Sequence, residues 1–229
     1  MIYIYIIIIA VCILVLLKII LGVNVKKIKD LIKNKGLDDL VSTFPSNIDV
    51  VKGILKMLKN ENINIQEEKE TKTCLYLING NKIIIANISD TFTRIQTMAH
   101  ECLHSIQNKK ILWAQYIIAN FYLLYFFIII LLTLFHIIKT PYVHIIILSI
   151  LGIIQYVLKS MLEMDAMIKA KYLARDYLKE YKIGTEEEVD RLIKCYDELN
   201  YLGIPATNYY LIRNIIIKIL IYSLILLIV

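Results

Sequence analysis

The stretch ILWAQYIIANFYLLYFFIIILLTLFHIIKTPYVHIIILSILGIIQYVL, residues 111–158, decides the fold. It contains two long apolar segments, residues 111–138 and 142–158, with only a short turn at residues 139–141 between them. Each segment is long enough to cross a bilayer, which takes roughly 20 apolar residues in a helix. Two spans joined by so short a turn form a helical hairpin. The chain on either side of the hairpin is therefore expected to emerge on the same side of the membrane.

Two further apolar segments, residues 1–23 and 209–229, lie at the ends of the chain. The 229 residues are 58% hydrophobic and have a mean hydropathy of +0.63, whereas a soluble domain has roughly 45–50% apolar residues. This composition excludes a disordered or fibrous protein and predicts a mainly α-helical membrane protein with four transmembrane helices. The first span has no basic segment before it and no small residues typical of a cleavage site, so we expect an uncleaved anchor.

Lysine and arginine set the expected orientation. They cluster near the span ends in two polar regions, residues 24–110 and 159–208, at Lys26, Lys27, Lys29, Lys33, Lys35, Lys109, Lys110, Lys159, Lys169, Lys171 and Arg175. The opposite side offers only Lys139. The positive-inside rule therefore predicts that both polar regions lie in the cytoplasm and that the N-terminus lies outside. Because the basic residues flank the spans, the net charge of +6 indicates the lipid bilayer as a partner and no nucleic acid.

The polar regions contain patterns of short helices and strands. These patterns predict helices over residues 26–43, 49–60, 159–181 and 185–202, and a β-hairpin of residues 74–78 and 82–86. A further helix is expected to begin at Ser89 or Asp90, either of which could cap it, and to run through Gln107. Thr185 and Glu188 form a capping box at the last helix. Together these elements predict a small cytoplasmic α+β unit.

His100-Glu101-Cys102-Leu103-His104 lies on the helix predicted before the second span. At about 100° per residue, His100 and His104 lie about 40° apart on one face, so both imidazoles can reach one metal ion while Glu101 holds a water molecule. This H-E-x-x-H pattern is typical of zincin peptidases. Its chance frequency in such a chain is about 0.003; the alternative is a helix face of solvated polar residues. The cysteines show no spacing typical of disulfides or zinc ligands: Cys12, Cys74, Cys102 and Cys195.

Catalytic zinc usually takes three protein ligands and leaves one position for water. Position 110 is Lys, which excludes the metzincin spacing, and His136 and His144 flank the hairpin turn on the opposite side of the membrane. The remaining candidates are Glu163 and Asp165, which follow the third span. A helix rotates about 200° between these two positions, so only one of them can face the metal. Glu163 is favoured because its longer side chain reaches further; the alternative for it is a solvated carboxylate at a helix end.

The chain resembles the bacterial four-span neutral zinc metallopeptidases called YugP-like. The resemblance covers nearly the whole chain: an N-terminal anchor, a strand pair, an H-E-x-x-H-x-x-Q segment before a membrane hairpin, an E-x-D-A segment after it and a terminal span. The matching residues are His100, Glu101, His104, Gln107, Glu163, Asp165, Ala166 and Ala170. The resemblance implies zinc ligation by His100, His104 and Glu163, with Glu101 as the catalytic residue. The sequence departs from the family at Leu103, where Gly is common, and at Met167, where a small polar residue is usual.

These observations predict a zinc-dependent endopeptidase in the plasma membrane of a bacterium, with one Zn²⁺ per chain in a zincin-like cytoplasmic unit. Glu101 is expected to accept the proton of the attacking water, and Gln107 and Asp165 to support the ligands. Because the site follows so closely on the spans, peptides or membrane proteins at the bilayer surface are the expected substrates. The strand of residues 82–86 could pair with an extended substrate. A different interpretation is a non-catalytic membrane scaffold with a structural or vestigial metal site.

Overall fold

A computed structural model of the chain describes residues 2–68, 70–71 and 73–229. The helices are α1 (Ile2–Ile20), α2 (Val25–Ile32), α3 (Lys35–Ser42), α4 (Asn47–Met57), α5 (Arg94–Ile106), α6 (Lys109–Leu134), α7 (Pro141–Glu180) and α8 (Glu186–Ile228). The strands are β1 (Asn64–Glu68), β2 (Leu75–Leu77) and β3 (Lys82–Ala86). In the described residues, α1, α6, α7 and α8 are long and apolar enough to cross a membrane. The prediction of a mainly helical chain with four helices long and apolar enough to span a membrane is confirmed.

The chain divides into two compact units. The first, here called the membrane unit, consists of Met1–Val23, Trp113–Met161 and Pro205–Val229, and the second, the polar unit, consists of Asn24–Leu112 and Leu162–Ile204. Each unit has its own buried core. The core of the membrane unit centres on aromatic and aliphatic side chains of three helices: Tyr122, Phe126, Ile129, Ile145, Leu148 and Tyr222. Such a core forms where helices interlock in lipid by side-chain packing.

The segment predicted as one helix over residues 26–43 is two helices, so that prediction was wrong. Asn34 separates α2 from α3, and its side-chain oxygen accepts a hydrogen bond from the Leu37 main-chain N–H at 3.2 Å. An asparagine that caps a new helix in this way competes with continuation of the preceding one. The break allows Leu37 and Val41 of α3 to be buried in the core of the polar unit.

The helix that carries the H-E-x-x-H residues begins later than predicted, at Arg94 and not at Ser89 or Asp90. The preceding segment forms a turn, and the Phe92 main-chain N–H donates to the Asp38 carboxylate at 2.8 Å. Phe92 itself is fully buried. The carboxylate that satisfies this N–H group therefore comes from α3, and a local capping residue at position 89 or 90 is not used.

The predicted β-hairpin is confirmed, since β2 pairs with β3 in antiparallel register with Tyr76 opposite Ile83. The sequence patterns missed β1, which pairs with β3 in parallel and gives the strand order β1-β3-β2. β3 therefore has a partner on both sides and is the central strand. This does not favour its pairing with an extended substrate, because β1 pairs with all of Lys82–Ala86 and β2 pairs with residues 82–84.

The two long helices α7 and α8 differ in how well they were predicted. α7 runs without a break from the third span through Glu180, as predicted for residues 159–181. The capping box at the start of α8 is also confirmed, since the Thr185 N–H donates to the Glu188 carboxylate at 2.7 Å. The predicted end of this helix near residue 202 was wrong, because α8 continues through Pro205 into the fourth span. Ala206, next to Pro205, is buried, and tertiary packing can offset the hydrogen bond that a proline removes from a helix.

A glycine in α4 marks a close approach to α7. A Cβ atom added at Gly53 would lie 2.6 Å from Cε2 of Tyr177 and 3.3 Å from Cζ of Tyr181. Tyr177 is buried, so its ring has little room to move. Gly36 in α3 is the matched control, because the nearest atom to its added Cβ lies at 3.8 Å.

We expect Gly53→Ala to destabilise the polar unit by about 1–3 kcal/mol, as overpacking of a close-packed core does. Gly36→Ala is expected to be neutral or stabilising by up to about 1 kcal/mol, since alanine favours a helix more than glycine. Thermal unfolding of both variants in detergent measures the difference. Equal midpoints for the two variants would contradict the close approach of α4 and α7.

Candidate metal centre

Helix α5 is anchored at both ends. At its start, the buried guanidinium of Arg94 donates hydrogen bonds to four acceptors at the end of α3, in the turn after it and at the start of α4: Val41 O, Phe44 O, Pro45 O and Asn47 Oδ1, at 2.8–3.1 Å. At its end, the carbonyl oxygen of Ser105 accepts from Lys109 Nζ at 2.7 Å and from Asn60 Nδ2 at 3.3 Å. A cation at the C-terminus of a helix also interacts favourably with the helix dipole. These contacts fix the position of the helix that carries both histidines.

The three predicted ligands come together. Nε2 of His100 lies 3.0 Å from Nε2 of His104, and Oε2 of Glu163 lies 3.3 Å from the first and 3.8 Å from the second. The two histidines lie one turn apart on α5, and Glu163 approaches from α7. In the described residues this is the one cluster of three potential ligand atoms that all lie within 4.8 Å of one another.

The spacing of these atoms fits a metal ion. Two ligand atoms of a tetrahedral zinc ion, each about 2.1 Å from the metal, lie about 3.4 Å apart. The observed distances of 3.0, 3.3 and 3.8 Å lie close to this value. The exposed fraction of the side chain is 18% for His100, 12% for His104 and 23% for Glu163. The cluster is therefore partly open to solvent. The donor set of two imidazoles and one carboxylate can therefore bind a metal and leave a position free.

Gln107 and Asp165 lie behind His104. The Gln107 side-chain oxygen contacts Nδ1 of His104 at 2.8 Å, and its amide nitrogen donates to Asp165 Oδ2 at 3.1 Å and to the Leu162 carbonyl at 2.8 Å. Asp165 also pairs with Lys169 at 2.5 Å. An amide oxygen at Nδ1 holds the proton on that nitrogen and leaves Nε2 as the ligand. Asp165 therefore lies next to a supporting residue and outside the three-ligand cluster.

The Glu163 carboxylate and the two imidazoles stabilise each other's charged forms. Burial alone would raise the pKa of the Glu163 carboxyl, but hydrogen bonds from His100 and His104 outweigh it and hold the pKa well below its usual range. Burial would lower the pKa of His104, but hydrogen bonds to Glu163 and Gln107 outweigh it and raise the pKa. A ligating imidazole must be neutral, so a metal ion would bind here in competition with a proton on His104.

Glu101 lies beside the ligands but is not one of them. Its side chain is buried, with 6% exposure, and Oε2 accepts a hydrogen bond from the main-chain N–H of Tyr76 at 2.7 Å. Burial raises the pKa of Glu101, while the neighbouring imidazoles and this N–H group act in the opposite direction. A carboxylate placed this way can accept a proton from a water molecule near the ligand cluster.

The sequence patterns did not identify two other contacts of this region. One is the Tyr76 N–H group on β2. The other is Asn200 of α8, whose side-chain oxygen accepts from Gln96 Nε2 at 2.8 Å and whose nitrogen donates to the Met167 carbonyl at 2.9 Å. Gln96 lies one turn before His100 on α5, and Met167 lies one turn after Glu163 on α7. Asn200 therefore joins the two helices that carry the ligands.

The remaining histidines and the cysteines lie outside the cluster. His144 contacts the Tyr125 hydroxyl at 2.8 Å in the membrane unit, and His136 is exposed at the hairpin turn. The four cysteines are free. Cys102 is fully buried with its sulfur 3.9 Å from the Val51 carbonyl, so it packs in the core.

Comparison of the chain with protein-family models, with curated proteins and with solved structures found no match.

The two carboxylates on α7 give a direct test of the ligand set. Wild-type protein purified without chelators is expected to hold about one zinc ion per chain. Glu163→Gln should lose the metal, because it removes a charged ligand atom. Asp165→Asn should lose at most about 10- to 100-fold in affinity, as expected for a residue that supports a ligand indirectly. Metal analysis and competition with a chelating dye measure both effects, and the opposite ranking would make Asp165 the ligand.

Proposed function

We propose that the chain is a zinc-dependent endopeptidase that hydrolyses peptide bonds at the cytoplasmic face of a bacterial plasma membrane. The observation that carries the proposal is the convergence of His100, His104 and Glu163 around one point, with a buried carboxylate from Glu101 beside them. Two histidines and one glutamate are the ligand set of one class of zinc peptidases. The three ligands are partly exposed, which favours a catalytic site over a closed structural site with four ligands.

Each residue has a role in the proposed reaction. His100, His104 and Glu163 would hold the zinc ion, which when bound acts as a Lewis acid toward the peptide carbonyl and a water molecule. Glu101 accepts a proton from the water that attacks the carbonyl carbon, and it delivers that proton to the amine nitrogen as the C–N bond breaks. Gln107 keeps Nε2 of His104 available as a ligand.

We also propose a relationship to the YugP-like metallopeptidases, on the residues that carry the resemblance. The two departures from that family fall where they leave the ligand cluster intact. The Leu103 side chain is buried in the core of the polar unit. Met167 is held through its main-chain carbonyl, which any residue provides.

Glu101→Gln separates the peptidase from the alternative of a non-catalytic scaffold. The variant should keep its zinc, since Glu101 is not a ligand, and should lose hydrolysis by about 100-fold or more, as removal of a general base does. The probe is a library of fluorogenic peptides in detergent micelles. Glu67→Gln, at an exposed position on β1, is the matched control and should behave as wild type. Zinc-loaded wild-type protein without hydrolysis would favour the scaffold, and full hydrolysis by Glu101→Gln would show that Glu101 is not the general base.

The orientation in the membrane rests on the distribution of basic residues around the spans. Alkaline phosphatase, which is active only outside the cytoplasm, is therefore expected to be active when fused after Thr140 in the hairpin turn. A fusion after Lys182, between α7 and α8, should be inactive. Fluorescent-protein fusions at the same positions should give the opposite pattern. An active phosphatase at Lys182 would place the metal cluster on the outer side of the membrane.

A further inference from the structure

We propose that Tyr76 is a positioning residue whose main-chain N–H group holds the Glu101 carboxylate in place for the reaction. The inference rests on the proposed peptidase function, which gives Glu101 the role of general base. It concerns a residue that does not belong to the H-E-x-x-H segment or to the segment that carries Glu163. Four observations support it: the contact itself, the place of Tyr76 in the sheet, the anchoring of its ring, and the unequal environments of the two carboxylate oxygens.

The place of Tyr76 in the sheet leaves its N–H group free for this contact. β2 is an edge strand, paired only with β3 among the described strands. In an antiparallel pair, alternate residues direct their N–H groups toward the partner strand or away from it. Because the Tyr76 N–H donates to Glu101 at 2.7 Å, it points away from Ile83, its partner on β3. The edge of the sheet therefore supplies a main-chain donor to the helix that carries the general base.

The side chain of Tyr76 fixes the position of this donor. Its hydroxyl donates to Asn81 Oδ1 at 2.8 Å and accepts from Lys109 Nζ at 2.7 Å. Lys109 also donates to the Ser105 carbonyl at the end of α5. The same lysine thus joins β2 to the end of the helix on which Glu101 lies. The distance between the Tyr76 N–H and the helix is set by these contacts as well as by the sheet.

The two oxygens of Glu101 are therefore not equivalent. Oε2 is bound by the Tyr76 N–H, and a buried carboxylate with one oxygen held cannot rotate freely. Oε1 remains to accept the proton of the attacking water. A hydrogen bond to a charged group is stronger than one between neutral groups. Loss of the bond from the Tyr76 N–H should therefore change the placement of the Glu101 carboxylate measurably. Zinc binding should not depend on it, because Glu101 is not a ligand.

The test compares Tyr76→Pro with Tyr76→Ala. Both variants lose the phenol, but only proline lacks the N–H group, and an edge strand tolerates proline where the N–H points outward. On a peptide that the wild type cleaves, kcat of Tyr76→Pro should fall about 10- to 100-fold below that of Tyr76→Ala, with KM and zinc content equal. In a Glu101→Gln background the two variants should be equal. Equal kcat values in the wild-type background, or a difference that appears in KM instead, would overturn the proposal.

A second measurement does not depend on hydrolysis or on the folding of the proline variant. Zinc-loaded protein labelled with ¹⁵N-tyrosine gives an amide signal for Tyr76 that is assigned by its loss in Tyr76→Phe. Removal of the charged acceptor in Glu101→Gln should shift this signal upfield, while Glu67→Gln should leave it unchanged. A Tyr76 signal that is the same in Glu101→Gln and wild type would overturn the contact. Absence of any hydrolysis by zinc-loaded wild type would instead overturn the proposed function, and the amide shift would still decide whether Tyr76 holds Glu101.

Discussion

The contact of the Glu163 carboxylate with the imidazoles of His100 and His104 is the interaction on which the arrangement of the polar unit depends. Three polar groups that are partly buried and close together are costly unless their charges complement one another or they bind a metal. Here the carboxylate meets the imidazoles at 3.3 and 3.8 Å, and the shifts in the pKa values of Glu163 and His104 express the same attraction. A divalent cation would take the place of the protons. The cluster is therefore suited to a metal because its electrostatics already favour a cation.

This contact requires two helices from distant parts of the chain to pack closely. Small residues on α7 allow it: Ala166, Ala170 and Ala174 are spaced one turn apart and are all buried. They belong to the same core as Met98, Ala99 and Cys102 of α5. A larger side chain at these alanine positions would separate the helices and move Glu163 away from the histidines. The packing of small residues is thus a condition for the geometry of the cluster and not only for stability.

The sequence predicted those features that repeat or that depend on residue type. Apolar runs predicted the spans, and the H-E-x-x-H spacing together with the hairpin predicted that a carboxylate of residue 163 or 165 meets the two histidines. The longer side chain and the family resemblance then favoured Glu163 over Asp165. The contacts of Tyr76 and Asn200 could not be predicted in this way. Every residue except proline has a main-chain N–H group, so the donor at Tyr76 leaves no trace in the sequence. β1 (Asn64–Glu68) contains only one apolar residue, Ile65, so no apolar alternation marks it as a strand. The break at Asn34 depends on a capping bond that competes with helix continuation, and residue propensities alone do not decide such a competition.

Asn200 shows why the cluster depends on three helices and not two. An asparagine side chain offers one acceptor and one donor group in a fixed plane, and here the acceptor binds Gln96 of α5 while the donor binds the Met167 carbonyl of α7. Each of these partners lies one helical turn from a ligand, so the bridge limits sliding of α5 along α7 at the point where sliding would separate the ligands. Asn200 is itself buried, with 8% exposure, so the loss of either bond would leave a buried polar group unsatisfied. α8 therefore stabilises the geometry of a cluster to which it contributes no ligand.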